Sequence, residues 1–206
     1  MRARLALLVS GQVCELREVV LAQKPAALLA VSAKGTVPVL IDGHGRVIDQ
    51  SLDIMLWALR RNDPRQWLQA NDVTLEPMLC WVARCDGEFK FHLDRYKYPT
   101  RFGLTEGAEH QAKGAEFLSD LNGQLNKHRH LLGELACLAD AAIAPFVRQF
   151  SHTDPSWFAR QPWRALQAWL TAFENSADFQ QIMVKQVPWR ANHAPVLFPA
   201  FPSNGI

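Results

Sequence analysis

The sequence has no long apolar run, no strong excess of charge and no internal repeat or low-complexity segment. The longest apolar stretch, near Leu5 to Val9, is far too short to span a bilayer. Basic residues exceed acidic residues by only two, so charge gives no reason to expect a nucleic acid or a membrane surface as a partner. No small-residue cleavage site follows an apolar core near the start, so we expect no signal peptide and a cytoplasmic protein.

The sequence is also poor in cysteine, with Cys14, Cys80, Cys85 and Cys137 scattered through apolar segments. Scattered cysteines of this kind are typical of reduced core residues in a cytosolic protein. Cys80 and Cys85 do not share a helix face well and do not fit a zinc-binding spacing. We therefore expect no metal site.

The first sixty residues predict the order α-β-α-β-β-α, and no strand pattern appears from Val73 onward. The polar segment Arg60 to Arg65 contains a proline after a helix and marks the best boundary. We predict a mixed α/β domain over residues 1–62, a linker over 63–72 and an all-helical domain over 73–206 that ends in a proline-rich irregular tail. The predicted helices of the second domain are 75–94, 106–128, 138–150, 163–175 and 177–185.

One stretch stands out for function: Ser32 to Leu40, followed by Arg46 to Ser51. The Val37-Pro38 bond is a candidate cis peptide, since only an X-Pro bond makes the cis form cheap enough to keep. A cis bond there would turn the Val37 N–H and C=O outward, where an extended ligand can pair with them. Gln50-Ser51 falls at a predicted helix start, where free N–H groups favour a carboxylate. This combination favours a small acidic peptide as the ligand.

Three segments in this order, KPAALLAVSAKGTVPVL, VIDQSLDIMLWAL and LADAAIAPFVRQF, resemble the cytosolic glutathione S-transferases. The chain is most similar to bacterial members of the omega-like type, whose first helix carries Cys-Pro-Tyr-Ala. The resemblance covers essentially the whole chain. It implies a thioredoxin-like glutathione-binding domain followed by an all-helical domain, glutathione as co-substrate, and a homodimer.

The resemblance also implies roles for individual residues. Val37 would pair its backbone with the cysteinyl part of glutathione, with Pro38 in cis, while Gln50 and Ser51 would hold the γ-glutamyl amino and carboxylate groups. Lys24 would approach the glycyl carboxylate. The helical domain would supply the wall of the electrophile pocket, and Tyr96 and Tyr98 are the candidates there. Aromatic packing between helices is an equally good interpretation of these two tyrosines.

The start of the chain departs from the family pattern, in which a strand and the catalytic cysteine come before the helix that Met1 to Cys14 resembles. No residue of this chain therefore takes the catalytic role, and Cys14 lies at the wrong end of that helix to be activated. We expect the sequence to begin at an internal methionine of a longer product, which would leave the strands near Glu15 and Val39 beside a gap. Two functions stay open: glutathione-dependent thiol transfer, reduction or conjugation to a small electrophile, and non-catalytic glutathione binding or scaffolding.

Overall fold

The structure is a computed structural model that describes residues 1–200. The chain folds into two compact units. The first contains Met1–Pro64 together with the residues from Ala177 onward, and the second contains Arg65–Ser176.

The first unit has its helices and strands in an alternating order. They are α1 (Arg2–Ser10), β1 (Cys14–Glu15), α2 (Ala26–Val31), β2 (Leu40–Ile41), β3 (Val47–Ile48), α3 (Ser51–Leu59), α10 (Ala177–Ile182) and β4 (Leu197–Phe198). Over the first sixty residues this is the α-β-α-β-β-α order that the sequence predicts. The sequence predicts a strand from Cys14 to Leu21, but only Cys14 and Glu15 form ladder pairs. The strands are therefore shorter than expected.

The core of the first unit lies between α1 and α3, which pack against each other along their apolar faces. Leu5 and Ala6 of α1 and Met55 and Ala58 of α3 are almost completely removed from solvent. Gly11 ends α1 with a φ of 66°, a left-handed conformation that glycine adopts without a steric penalty. The sequence predicts that this helix ends near Gly11, and the structure confirms it.

The strands pair in two separate antiparallel ladders. In the first ladder Cys14 is opposite Phe198 and Glu15 is opposite Leu197. The sequence predicts an irregular tail from Pro188, and β4 corrects that expectation at Leu197 and Phe198. The predicted gap between the strands near Glu15 and Val39 stays a prediction, with β1 and β2 in separate sheets. The sequence gives only a weak signal for β4, because this strand has two residues and is flanked by Pro195 and Pro199.

The second unit is built mainly from helices, with one isolated β-bridge between His130 and Gly133 among its described residues. Its helices are α4 (Leu75–Arg84), α5 (Lys90–Lys97), α6 (Ala108–Leu125), α7 (Leu138–Ser151), α8 (Pro155–Ala159) and α9 (Arg164–Glu174), with short 3-10 turns at Ala70–Asp72 and Pro99–Phe102. The single helix predicted over 75–94 is interrupted by a π-helical turn at Cys85–Phe89. This turn places Cys85 and Phe89 in the core.

A buried polar box begins α7, the central helix of the second unit. The Asp140 carboxylate accepts hydrogen bonds from the backbone N–H groups of Cys137 and Leu131, each at 3.0 Å, and from Trp169 Nε1 at 2.9 Å. For the segment LADAAIAPFVRQF, the family resemblance implies a helix cap with Cys137 at the capping position and Asp140 three residues later, and the structure has that arrangement. Within residues 1–200, every helix is too short or too polar to cross a membrane.

The last described helix, α10, packs on α1, and Arg4 Nη1 donates to the Ile182 carbonyl at 3.1 Å. The sequence assigned this helix to the second domain, because its amphipathic pattern does not reveal which core it joins. The domain limits 1–62, 63–72 and 73–206 stay predictions.

Candidate functional site

The candidate site is the stretch from the end of α2 to the start of α3, and the β2–β3 hairpin brings its two halves together. Leu40 is paired with Ile48 and Ile41 with Val47. The cis-proline segment directly precedes β2, and the start of α3 directly follows β3. The two features that the sequence separates by a dozen residues are therefore joined by one hairpin.

The Val37-Pro38 peptide bond is cis, as the sequence predicts. Val37 is 44% exposed. Among the described residues, the Val37 N–H and C=O form no backbone hydrogen bond. The backbone of Val37 is therefore free to pair with an extended ligand.

The start of α3 offers a second set of free groups. Gln50 has extended backbone dihedrals and is the N-cap residue, but its side chain does not cap the helix. Gln50 is exposed and Ser51 is half-buried. The N–H groups of the first helical turn have no intrahelical partner, and they carry the positive end of the helix dipole. This helix start can therefore bind a carboxylate.

Lys24 approaches the same loop from the residues before α2. A Cβ atom placed on Gly35 would lie 3.4 Å from Lys24 Nζ and 3.0 Å from Leu29 Cδ2. Gly35 has a φ of 57°, so the loop needs glycine there both for its backbone conformation and for this close approach. Lys24 is exposed, and its ammonium group approaches Gly35, which closely precedes Val37 in the loop.

An ion pair holds the loop and the helix start together, and sequence reasoning assigned it no role. Lys34 Nζ lies 3.0 Å from Asp49 Oδ2, with Lys34 in the loop and Asp49 directly before Gln50. The only sign of this ion pair in the sequence is that Lys34 and Asp49 carry opposite charges near the two ends of the predicted stretch. The pairing becomes evident only when the hairpin register is known.

The candidate residues form an open edge of the unit. A surface cavity of about 240 Å³ does exist in this unit, but its walls are Arg46, Trp57, Arg61 and their neighbours on the outer side of α3. Neither Val37 nor Gln50 lines that cavity. The free hydrogen-bonding groups therefore define the candidate site better than concavity does.

The two tyrosine candidates lie in the second unit, and each has partners there. The Tyr96 hydroxyl accepts a hydrogen bond from Gln111 Nε2 at 2.8 Å, and its ring lies 4.8 Å from that of Phe150. Burial raises the pKa of Tyr96. The Tyr98 ring lies 4.2 Å from the Arg101 guanidinium carbon. These contacts suit packing between helices, and a role in an electrophile pocket stays a prediction.

Two of the cysteines, Cys14 and Cys137, are poorly suited to nucleophilic chemistry where the structure places them. Burial raises the pKa of Cys14, and burial beside the Asp140 carboxylate raises that of Cys137 to about 12. Cys85 is buried and Cys80 is exposed on α4. Among residues 1–200, no group of three or more histidine, cysteine or acidic side chains is arranged to hold a metal ion.

A mixed unit with a cis-proline loop and an open helix start, joined in sequence to a helical unit, defines a thioredoxin-like domain with a helical partner domain. Family models agree with this class. The model of the glutathione S-transferase N-terminal domain matches residues 1–67, and that of the C-terminal domain matches residues 81–172. The chain belongs to the glutathione S-transferase family. A comparison with curated proteins found no match.

Solved structures of this family share the fold at low sequence identity. A glutathione transferase family member from Pseudomonas fluorescens with two glutathione bound is 17% identical, with 87% of this chain and 85% of that chain covered at a TM-score of 0.73. The bacterial enzyme BphK, solved as a ternary complex, is 22% identical over 87% and 90% at a TM-score of 0.72. A glutathione S-transferase from Rhodospirillum rubrum is 17% identical over 95% and 90% at 0.70.

Proposed function

We propose that this protein binds glutathione through Val37, Pro38, Gln50, Ser51 and Lys24. The observation that carries the proposal is the cis Val37-Pro38 bond, where Val37 makes no backbone hydrogen bond among the described residues. The hairpin that follows leads directly to the helix start at Gln50. Glutathione is a small peptide with two carboxylates, so the backbone of Val37 and the helix start would take its cysteinyl and γ-glutamyl parts. Lys24 would meet the remaining carboxylate.

The activity that this binding supports best is transfer chemistry on the bound thiol. In conjugation the glutathione sulfur forms a bond to an electrophilic carbon and the leaving group departs with the bonding electrons. In thiol transfer a cysteine thiolate attacks the disulfide of a glutathionylated substrate, which releases the substrate thiol and leaves glutathione on the cysteine as a mixed disulfide. A second glutathione thiolate then attacks this mixed disulfide, which releases glutathione disulfide and restores the cysteine thiolate. The family pattern supplies that cysteine on an omega-like Cys-Pro-Tyr-Ala motif, which stays a prediction for this protein. The proposal includes a cytoplasmic homodimer that acts on a small-molecule or glutathionylated substrate.

A second candidate function is glutathione binding without catalysis. Burial raises the pKa of Cys14, and burial beside Asp140 raises that of Cys137, which disfavours the thiolate form that nucleophilic catalysis needs. None of the four cysteines lies in the segment from Lys24 to Ser51. Turnover of a mixed-disulfide or electrophilic substrate by protein retained on immobilised glutathione supports catalysis. Retention without turnover supports the binding function.

The binding site itself is tested by calorimetric titration with glutathione. We expect Gln50→Ala with Ser51→Ala to weaken binding by about tenfold or more, because hydrogen bonds to a charged group contribute roughly 1.5–3 kcal/mol. The matched control is Gln181→Ala, which removes an exposed glutamine from α10 of the same unit. Lys24→Gln should also weaken binding and reduce its dependence on salt. Equal affinity of the double variant and the parent protein would overturn the proposed site.

A further inference from the structure

The segment 189–198, which we call the strap, runs back along the first unit and attaches to it at two points. At one point Leu16 N donates to the Val196 carbonyl at 2.7 Å, beside the β1–β4 pairs. At the other, Trp189 N donates to the Glu18 carbonyl at 2.8 Å. Between them the chain leaves the ladder in a turn closed by a hydrogen bond from His193 N to the Arg190 carbonyl.

The two attachments differ in how much they bury. At the ladder end, Phe198 is only 8% exposed and lies directly opposite Cys14. Directly opposite residues on paired strands place their side chains on the same face, so Phe198 stands beside the Cys14 thiol. At the other end the strap is mainly exposed. It is held there by the Trp189 backbone bond to Glu18, by a side-chain hydrogen bond between Trp189 and Glu15, and by one aromatic contact.

That contact is a clasp between Arg17 and Trp189. The Arg17 guanidinium carbon lies 4.7 Å from the centre of the Trp189 ring. The Glu15 carboxylate orients the guanidinium by accepting hydrogen bonds from Arg17 Nε at 2.9 Å and from Nη2 at 3.1 Å. The acid, the arginine and the indole therefore form one surface network that joins β1 to the strap.

We propose that the strap opens and closes locally over β1, that the Arg17–Trp189 clasp sets the balance, and that opening exposes the Cys14 thiol. A strand of two residues with one exposed clasp has few contacts to lose, which is the property of segments that open without global unfolding. While closed, the strap covers an edge that would otherwise present unpaired backbone groups to other chains. Cys14 is thus a thiol whose access depends on the C-terminal segment.

The experiment uses the full-length protein and measures two quantities site by site with mass spectrometry. These are the amide hydrogen exchange of each peptide and the rate at which iodoacetamide alkylates each cysteine. The variants are Trp189→Leu and Arg17→Gln, which remove the clasp from either side. The control is Arg190→Gln, which removes a charge from an exposed position of the same strap.

In both clasp variants we expect iodoacetamide to alkylate Cys14 two- to fivefold faster. A factor of this size corresponds to the loss of one exposed cation–π contact from the closed state. The amides of Leu16 and Trp189 should exchange faster by a similar factor, while those of α3 keep their protection. The control should match the parent protein. An unchanged Cys14 rate in both variants would overturn the proposal. A Cys14 rate that rises together with those of the buried Cys85 and Cys137 would also overturn it, because exposure would then require global unfolding.

Discussion

Lys34 Nζ lies 3.0 Å from Asp49 Oδ2, and this ion pair joins the cis-proline loop to the start of α3. The Lys34 side chain is 57% exposed and that of Asp49 is 30% exposed. An ion pair this exposed contributes only about 0.2–1 kcal/mol to folding. Its main effect is therefore on the geometry of the loop.

We predict that Asp49→Asn weakens glutathione binding severalfold while lowering the free energy of unfolding by less than about 1 kcal/mol. The reason is that an unanchored loop must be ordered again when the ligand binds. Calorimetry and urea unfolding measure the two quantities. Lys34→Gln should behave in the same way, the double variant should add little, and the exposed Lys185→Gln is the control. Additive losses from the two single variants would mean that the residues act separately.

The second prediction concerns two glycines of α6 that differ only in their surroundings. A Cβ on Gly114 would lie 2.7 Å from Phe150 Cε2, whereas a Cβ on Gly123 would meet nothing within 4 Å. We expect Gly114→Ala to destabilise the protein by about 1–3 kcal/mol through overpacking. Gly123→Ala should stabilise it by roughly 0.5–1 kcal/mol, because alanine is the better helix former. Thermal and urea unfolding of both variants provide the check. Equal effects on the free energy of unfolding would show that the Phe150 ring moves aside without destabilising the protein.

The third prediction is a dependence of stability on pH that arises from His92 and His110. Their Nδ1 atoms lie 2.8 Å apart, a distance at which one ring must be neutral and accept. Burial first, and then His110 and Lys113, lower the pKa of His92, while Glu88 acts in the opposite direction. Because the pKa is lower in the folded protein, this contribution is present above the ordinary value of about 6.5 and is lost as the pH falls through the folded value.

Unfolding by urea at pH 7.5 and at pH 5.5 tests this dependence. Between pH 7.5 and pH 5.5 the free energy of unfolding of the parent protein should fall further than that of His92→Gln. About 1 kcal/mol of this additional fall comes from the broken hydrogen bond between the two histidines. His193→Gln, which removes an exposed histidine from the first unit, should keep the parent's dependence. A parallel shift of all three proteins would exclude His92 as the source.

The fourth prediction concerns the helix cap at Cys137. The Cys137 thiol lies 3.2 Å from Asp140 Oδ2 and is completely buried. A hydroxyl oxygen is a much better cap acceptor than sulfur, so we expect Cys137→Ser to raise the free energy of unfolding by about 1 kcal/mol. Asp140→Ala should lower it by several times as much, because it leaves the buried N–H groups of Cys137 and Leu131 without their acceptor. A serine variant less stable than the parent would show that the smaller side chain leaves a cavity.

Much of this architecture could be predicted from the sequence, because the features concerned are local. The left-handed end of α1 at Gly11, the hairpin turn after Ile41, the start of α3 at Ser51 and the cap of α7 each depend on residues within one or two turns. The sequence also favours a structural ion pair for Arg148 over a substrate contact, and Arg148 Nε lies 2.9 Å from Glu174 Oε1.

The features that could not be predicted depend on distant partners. Leu197 and Phe198 form a strand only because β1 accepts them, and nothing in their own neighbourhood favours a ladder. The π-helical turn at Cys85–Phe89 interrupts an apolar pattern that reads as continuous. The Tyr96 hydroxyl is already bonded to Gln111, which lies on another helix and carries no signal of its own in the sequence.

The hairpin turn at Asp42–Gly45 has a consequence for how this protein tolerates change. The Asp42 carboxylate accepts from His44 N at 2.9 Å and from Arg46 N at 3.0 Å, and the turn is exposed apart from Asp42 itself. Exposed turns usually accept insertions, but one added residue here would shift the ladder and turn each β3 side chain to the opposite face. The residues that lead into α3 would then be displaced relative to those that lead into β2. The length of this turn therefore fixes the geometry of the proposed site, so an insertion scan should find the turn tolerant of substitution and intolerant of a single added residue.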